Sequence, residues 1–323
     1  TELPTIRSFS VLSLLYIAFL LFLSRGVDME ERVNKIKLLE RCGVFEDYKY
    51  LPWQPGFERT AGRYRGRIAE SQDGMAGIVA DFYEIDGRKQ REGKIPVIPD
   101  GCTDLIFVSS GREAKVYVSA GVLEPQNFQF TNPESIFGVR FMPGATCHIF
   151  HNSIGEIVYK PTELKQFLRD TKGYTEKIVR TPDFEQKIHL AVKFVRSLLL
   201  EEDGSERIVG YCCKRMYETR GLIAVKKLAV ETGYTERYLD MLFERYVGTS
   251  PKNLCNIIKV QYAYLLMKCY PGLPLSYVAQ CAGYADHSHM NRVFGRYLKA
   301  SAGTVRDDSI FQKISQEKTI VFA

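Results

Sequence analysis

The sequence predicts an α+β chain: an amino-terminal all-β barrel, a helical connector, and a carboxy-terminal all-α domain built from two helix-turn-helix units. Three observations carry this. From about Arg63 to His151, short apolar runs are broken by Gly, Pro, Asn and Ser, the pattern of strands and turns. From Pro161 the apolar period lengthens to that of a helix. The stretch from Leu222 to Arg306 contains a short internal duplication, and its eleven basic residues against five acidic ones account for the chain's whole formal charge of +6. With 323 residues, 45% of them hydrophobic and 25% charged, the chain has enough apolar material for two domains, which excludes a disordered or fibrous protein.

The first segment, Phe9 to Leu23, is apolar, but its fifteen residues span only about 22 Å as a helix, short of the ~30 Å hydrocarbon core. Arg25 and the acidic Asp28, Glu30 and Glu31 follow, with no small-residue cleavage site, and Met29 opens a soluble-looking stretch. Residues 1–28 therefore read as the product of an over-extended or truncated gene model, with a membrane anchor and a buried helix as alternatives. Strands are expected over RYRGRIAE, GIVADFYEI, KIPVIPDG, TDLIFVSS, AKVYVSAGV, NFQFT and IFGVRFMPG. Helices follow in ELKQFLRD, in FEQKIHLAVKFVRSLLLEE with Phe184, Ile188, Ala191, Val192, Val195, Leu198 and Leu199 on one stripe, and in ERIVGYCCKRMYE. The expected divisions are 1–28, a β domain over 29–160, a connector over 161–221, the duplicated domain over 222–306 and a tail over 307–323.

Eight cysteines without a CxxC spacing read as reduced and mostly buried thiols, which suits the cytosol, and no spacing matches a metal site. His287 and His289 are two apart and so fall on different faces of a helix, and His148 and His151 beside Cys147 fall short of a barrel metal centre. The carboxylate pairs Asp100/Asp104 and Glu201/Glu202 have ordinary surface spacings. No GxSxG, phosphate-loop or dinucleotide-binding glycine pattern is present. No enzyme and no cofactor are expected.

The duplication aligns IAVKKLAVETGYTERYLDMLFERYVGTSP with LSYVAQCAGYADHSHMNRVFGRYLKASAG. In each copy a short helix runs into Gly-Tyr at Gly233 or Gly283, where a sharp turn favours positive φ. Thr235 and Asp286 then cap a second helix whose start is a ready phosphate site. Leu239, Leu242 and Phe243, with Met290, Val293 and Phe294, form the buried stripes. Arg237, Tyr238, Asp240, Met241 and Arg245 remain outward in one unit, and His287, Ser288, Asn291, Arg292 and Gly295 in the other. Between them Lys252 to Lys268 reads as one helix behind Pro251. At about 26 Å, with the widths of the reading helices added, it can hold them roughly one DNA turn (~34 Å) apart.

Gly-Tyr-Thr-x-x-Tyr-Leu-x-x-Leu-Phe-x-x-Tyr-Val-Gly-x-Ser-Pro, the Lys259-Val-Gln-Tyr-Ala263 connector and Gly-Tyr-Ala-Asp-His-Ser-His-Met-Asn-Arg-Val-Phe together resemble the DNA-binding domain of AraC-type transcriptional regulators over about 85 residues. The resemblance implies two units on successive major-groove faces and an amino-terminal cupin-like barrel for effector sensing or dimerisation. Pro99 to Phe107 and Phe137 to Gly144 also resemble the amino-terminal domain of some of these regulators. Met290 stands where the family usually has an aromatic, Lys299 where it has glycine, and Ser301-Ala302 where it has Ser-Pro; the last two bear on where the final reading helix ends. Some proteins with such a DNA-binding domain are alkylation-repair enzymes, but their zinc-thiolate cysteine cluster is missing from this sequence.

Arg292 is the expected bidentate partner for guanine and Asn291 for adenine, with Arg237 as the first unit's guanine reader. Asp240 suits a cytosine amino group or a pair with Arg237; Tyr238 and Met241 suit a thymine methyl; His287 and Ser288 complete the reading face. Lys226, Thr235, Arg245, Lys252, Lys259, Asp286 and Arg296 are the expected phosphate contacts. Phe82, Phe107, Tyr117, Phe130 and Phe141, with Tyr83, Phe128 and Phe137, are candidates for an effector pocket, ordinary packing being the alternative for each. The expected partners are double-stranded promoter DNA, a small-molecule effector, RNA polymerase and a second copy. Two other functions stand beside this one: a membrane-tethered sensor-regulator anchored by Phe9 to Leu23, and a ligand-binding or enzymatic barrel whose DNA binding is vestigial.

Overall fold

The computed structural model describes residues 50–322 apart from 61–62, 90–92, 112, 151–153, 158–160, 169–170, 172 and 200–203. The apolar segment Phe9 to Leu23, Cys42 and His151 lie outside the described residues. Within them, no helix is long and apolar enough to cross a membrane.

All seven expected strands form, and each is bounded by turn residues, as its pattern requires: β1 (Tyr64–Ile68), β2 (Val79–Asp86), β3 (Ile95–Val97), β4 (Thr103–Ser110), β5 (Glu113–Ala120), β6 (Gln126–Phe130) and β7 (Ser135–Phe141). Two more were not foreseen, β8 (Thr162–Glu163) and, at the far end of the chain, β9 (Thr319–Phe322). A six-stranded sheet runs β1-β2-β7-β4-β5-β8 and a three-stranded sheet runs β3-β6-β9. The two sheets face each other, and no ladder among the described residues closes on itself.

Period-two alternation sorts the large sheet's side chains onto two faces. Phe82, Leu105, Phe107, Val116, Val118, Phe137, Val139 and Phe141 share one core with Ile178, Phe184, Ile188 and Phe194 of the connector helices. Tyr83, Ile85, Ile106, Val108, Tyr117 and Ile136 share the other with Ile95, Val97, Phe128, Phe130, Ile320 and Phe322 of the small sheet. The module is thus helices, large sheet and small sheet in layers.

The helices are α1 (Pro55–Thr60), α2 (Tyr174–Arg180), α3 (Phe184–Leu198), α4 (Gly204–Glu218), α5 (Val225–Thr232), α6 (Glu236–Tyr246), α7 (Pro251–Cys269), α8 (Leu275–Cys281), α9 (His287–Leu298), α10 (Ala302–Arg306) and α11 (Ile310–Ile314). The expected helix in ELKQFLRD is instead β8 followed by the single 3₁₀ turn Leu164–Gln166, because Thr162 and Glu163 pair with β5 and only Leu164 of that turn is buried. Around α7, which is buried on nearly all sides, the helices pack into one core that also takes in Tyr50, Ile98 and Cys147 from the β module. The seven described cysteines are free thiols, six of them buried, and burial pushes Cys212 up to about 11 and Cys255 up to about 12.

A buried ionic row fixes the junction. Asp81, Arg140 and Asp104 are register partners across β2, β7 and β4. Arg140 donates from Nε and Nη2 to the two Asp104 oxygens at 2.9 Å each, lies 3.8 Å from Asp81 and from Asp100, and sits against the rings of Phe57 and Tyr83. Asp100 accepts from Gln54 Nε2 (2.7 Å) and from the Cys102 N–H (2.9 Å). One residue before it, the Pro99 carbonyl accepts from Gln261 Nε2 on α7 (2.7 Å), while Gln261 Oε1 accepts from the Trp53 N–H (3.1 Å).

Three carboxylates around one guanidinium leave Asp81 the poorest in partners, and its Oδ1 is buried without a hydrogen bond. Burial, against the pull of Arg140 and with the push of Asp104 and Asp100, raises its carboxyl to about 7. The folded state therefore holds a proton that an unfolded aspartate, with a pKa of about 3.9, has already lost. The contribution of Asp81 to stability accordingly falls as pH rises from about 4 to 7 and levels off above. Asp81→Asn should remove that fall: by urea denaturation the variant matches the parent near pH 4 and exceeds it by on the order of 1–3 kcal/mol at pH 8.

Candidate nucleic-acid interface

The two helix-turn-helix units repeat in hydrogen-bond detail. Gly233 and Gly283 take φ of +76° and +70°. Just after them the Tyr234 N–H donates to the Ala229 carbonyl (3.1 Å) and the Tyr284 N–H to the Ala279 carbonyl (2.9 Å), the same closing bond in each copy. Thr235 Oγ1 accepts from the Tyr238 N–H (3.2 Å), and Asp286 Oδ1 accepts from the His289 N–H (2.6 Å), so both reading helices carry the expected side-chain caps. Ala285 is one extra residue before the second cap. Past it Leu239, Leu242, Phe243 and Tyr246 align with Met290, Val293, Phe294 and Tyr297, and Met290 fills its slot with no exposure.

On α6, Arg237, Asp240 and Met241 are exposed, and no ion pair joins Arg237 to Asp240 among the described residues. Tyr238 is half-buried and stacks on the exposed Tyr234, with ring centroids 4.9 Å apart. On α9, Ser288 and Arg292 are exposed. The alignment sets Arg292 opposite Met241 and Arg237 opposite Ser288, so the two arginines do not occupy equivalent positions.

Asn291 differs from its expected role. Its Nδ2 lies 3.0 Å from His287 Nε2, and its Oδ1 accepts from the Ala302 N–H at 2.9 Å. Both ends of the amide, which a bidentate adenine contact would need, are held by the fold, and His287 is engaged with them. Ala302 explains this: proline, the family's usual residue there, has no N–H to offer.

Among the expected phosphate contacts, Lys226, Lys252, Arg245 and Arg296 lie on the surface, the last two with their guanidinium groups 5.1 Å and 5.6 Å from the rings of Tyr246 and Tyr297. Lys259 turns inward. Its Nζ donates to the Gly283 carbonyl (3.1 Å) and sits 4.6 Å from the Tyr284 ring centre, and burial lowers its pKa. It braces the second turn against α7.

The candidate effector residues do not converge. Phe82, Phe107, Phe137 and Phe141 fill the helix-facing core, whereas Tyr83 and Tyr117 lie in the other core against Phe128 and Phe130 of the small sheet. A one-residue step along a strand changes its face, which a list of aromatics cannot show. A polar groove of about 350 Å³ lies elsewhere, between β1 and α3, with Arg67, Asp73, His189, Lys193 and Arg196 on its walls. Gln261 and Asn127, which join the β module to the helices, escaped the sequence reading because an amide in a helix or strand carries no local signal of a distant partner.

The geometry defines the class: a tandem helix-turn-helix DNA-binding protein with a β module fused ahead of it. A helix-turn-helix domain family matches residues 228–308, and a domain of unknown function (DUF6597) matches residues 71–163, the span from the 3₁₀ turn after β1 to β8. The carboxy-terminal domain is thus a helix-turn-helix domain of the AraC type. No curated protein matches the sequence. Among solved structures, the crystal structure of an apo ToxT variant from Vibrio cholerae aligns with 13% identity and a TM-score of 0.34, covering 68% of this chain and 88% of that one.

Lys299 ends α9 with φ +53°, a left-handed residue where the family carries glycine. Lys299→Gly should stabilise the domain by about 1 kcal/mol, read as an upward shift in chemical denaturation midpoint. Asn291→Ala should cost about 1 kcal/mol by leaving the Ala302 N–H without its acceptor, whereas Arg292→Ala changes stability by less than about 0.5 kcal/mol.

Proposed function

We propose that this regulator reads its operator with α6 and α9 on successive major-groove faces, Arg237 and Arg292 contacting bases, and that the β module sets where the first unit stands. The observation that carries the reading is the repeated cap-and-turn geometry with an exposed arginine on each reading helix. Asp240, Met241, Tyr238 and Ser288 complete the base-reading face; Lys226, Lys252, Arg245, Arg296 and the capped helix starts at Thr235 and Asp286 hold phosphates. Residues 222–306 form the reading unit, 161–221 the connector and 29–160 the sensing or dimerisation unit.

Control through the β module is supported by contact. The 3₁₀ turn Ile154–Ile157 lies beside both β5 and α6, and Gln261 bonds the β module to the helix between the two readers. A small ligand, or a second copy, that prefers one arrangement of these contacts would shift the equilibrium of the first reading helix. An activator would then meet RNA polymerase beside the operator.

Selection of bound sites from random DNA by the full chain should yield two half-sites about one helical turn apart. Arg292→Ala should weaken binding by roughly 10–100-fold and relax one half-site only. Lys252→Ala should weaken all sequences alike and lower the salt slope by about one unit. Binding that depends on salt alone, with no enriched site, would sink the proposal.

A further inference from the structure

After α10 the chain turns back through α11 and lays β9 parallel to β6, pairing Asn127 with Thr319, Phe128 with Ile320, Gln129 with Val321 and Phe130 with Phe322. The Asn127 N–H donates to the Lys318 carbonyl (2.8 Å) and the Thr131 N–H to the Phe322 carbonyl (3.0 Å). Asn127 is 1% exposed, and its Nδ2 reaches the carbonyls of Ile314 (2.7 Å) and Glu317 (3.1 Å). The Phe322 ring stacks on Phe130 with centroids 4.5 Å apart and meets Phe128 and Tyr117 edge-on at 5.1 Å and 5.5 Å. Ile320 and Phe322 are buried while Val321 between them is half exposed at 52%. Main-chain bonds along a sheet edge, with pockets for alternate side chains, are how domains bind extended peptides by adding a strand.

We infer that the β6 edge, with its nest of Tyr117, Phe128 and Phe130, is a peptide-strand site of the β module, filled in cis by Thr319–Phe322, and that this occupancy clasps the reading domain to the β module from its far end. The ligand class is an extended apolar strand with a β-branched residue two places before an aromatic ring. Near the clasp, Arg59 of α1 pairs with Asp308 at 2.5 Å and lies over the Phe311 ring, and Lys268 of α7 also bonds Asp308, so the returning chain is tied to both parts of the molecule. The site itself owes nothing to DNA reading and stands or falls separately from it.

The test uses the full chain and a fluorescent peptide of sequence KTIVFA. The parent, with its site filled, should bind the peptide at least tenfold more weakly than the full-length Phe322→Ala variant, and a peptide with its Phe changed to Ala should not bind the variant. Hydrogen exchange at the amides of Asn127 and Thr131 should speed up in the variant and slow again with peptide. In case the variant loses its cooperative thermal transition, a second chain carries a protease site between Glu317 and Lys318 and is cut after folding; it should exchange its own tail for the labelled peptide. No peptide uptake by either form, with β6 amides still protected or the cut protein unfolded, would overturn the site and make β9 a fixed part of the core. For the clasp, the selected operator is titrated with the Phe322→Ala chain: an operator Kd changed at least threefold and restored by the peptide supports it, and an unchanged Kd overturns the clasp alone.

Discussion

The arrangement of the whole molecule depends on one buried amide. Gln261, in the middle of the long helix between the two readers, accepts from the Trp53 N–H and donates to the Pro99 carbonyl, so both ends of its side chain are bonded to the β module's backbone. Those two backbone points are in turn held by Arg140, whose guanidinium bonds Asp104 and lies close to Asp100 and Asp81, and by Gln54, which reaches Asp100 and the Ile98 backbone. In a low-dielectric setting such a chain of polar contacts is costly to break at any link, since each break leaves a buried group without a partner. The helix between the readers is thus anchored beside a charge cluster spread across three strands.

The duplicated units show how far the same local chemistry can be turned to different ends. Both use a left-handed glycine, a tyrosine N–H closing back on an alanine carbonyl, and an oxygen-bearing cap. Yet the second unit ties its amide inward, through His287 and the Ala302 N–H, while Lys259 braces its turn from α7. The first unit is braced from α4 instead, where Tyr211 and Arg215 bond Glu231 near the end of α5, and its reading helix lies next to the β module's Ile154–Ile157 turn. The two readers thus have different settings: one is tied through α7 and its own amide, the other is tied through α4 and neighbours the module proposed to control it.

The β module uses its large sheet as a partition. One face receives the connector helices and the other receives the small sheet, whose third strand comes from beyond the DNA-reading domain. Connector and returning strand therefore reach the reading domain from opposite faces of the same sheet, and the polar joint at Gln261 stands as a third attachment.

Much of this was legible from residues alone. Alternation placed seven strands, helical period placed α3 and α4, and the Gly-Tyr repeat with Thr235 and Asp286 placed both reading helices and their caps, because each of these signals is local and needs only neighbours in the chain. What the sequence could not determine were the contacts between residues far apart. ELKQFLRD looked helical until Thr162 and Glu163 found β5. Lys259 and Asn291 looked like DNA contacts until Gly283 and Ala302 were brought within hydrogen-bonding distance. The aromatics of the β module were candidates for a pocket or for core packing until the pleat divided them between two cores. The last residues looked like a tail until Phe322 met Phe130. In each case the side chain's own chemistry was read correctly, and only the tertiary structure, by bringing distant backbone groups and rings together, decided which partner it would take.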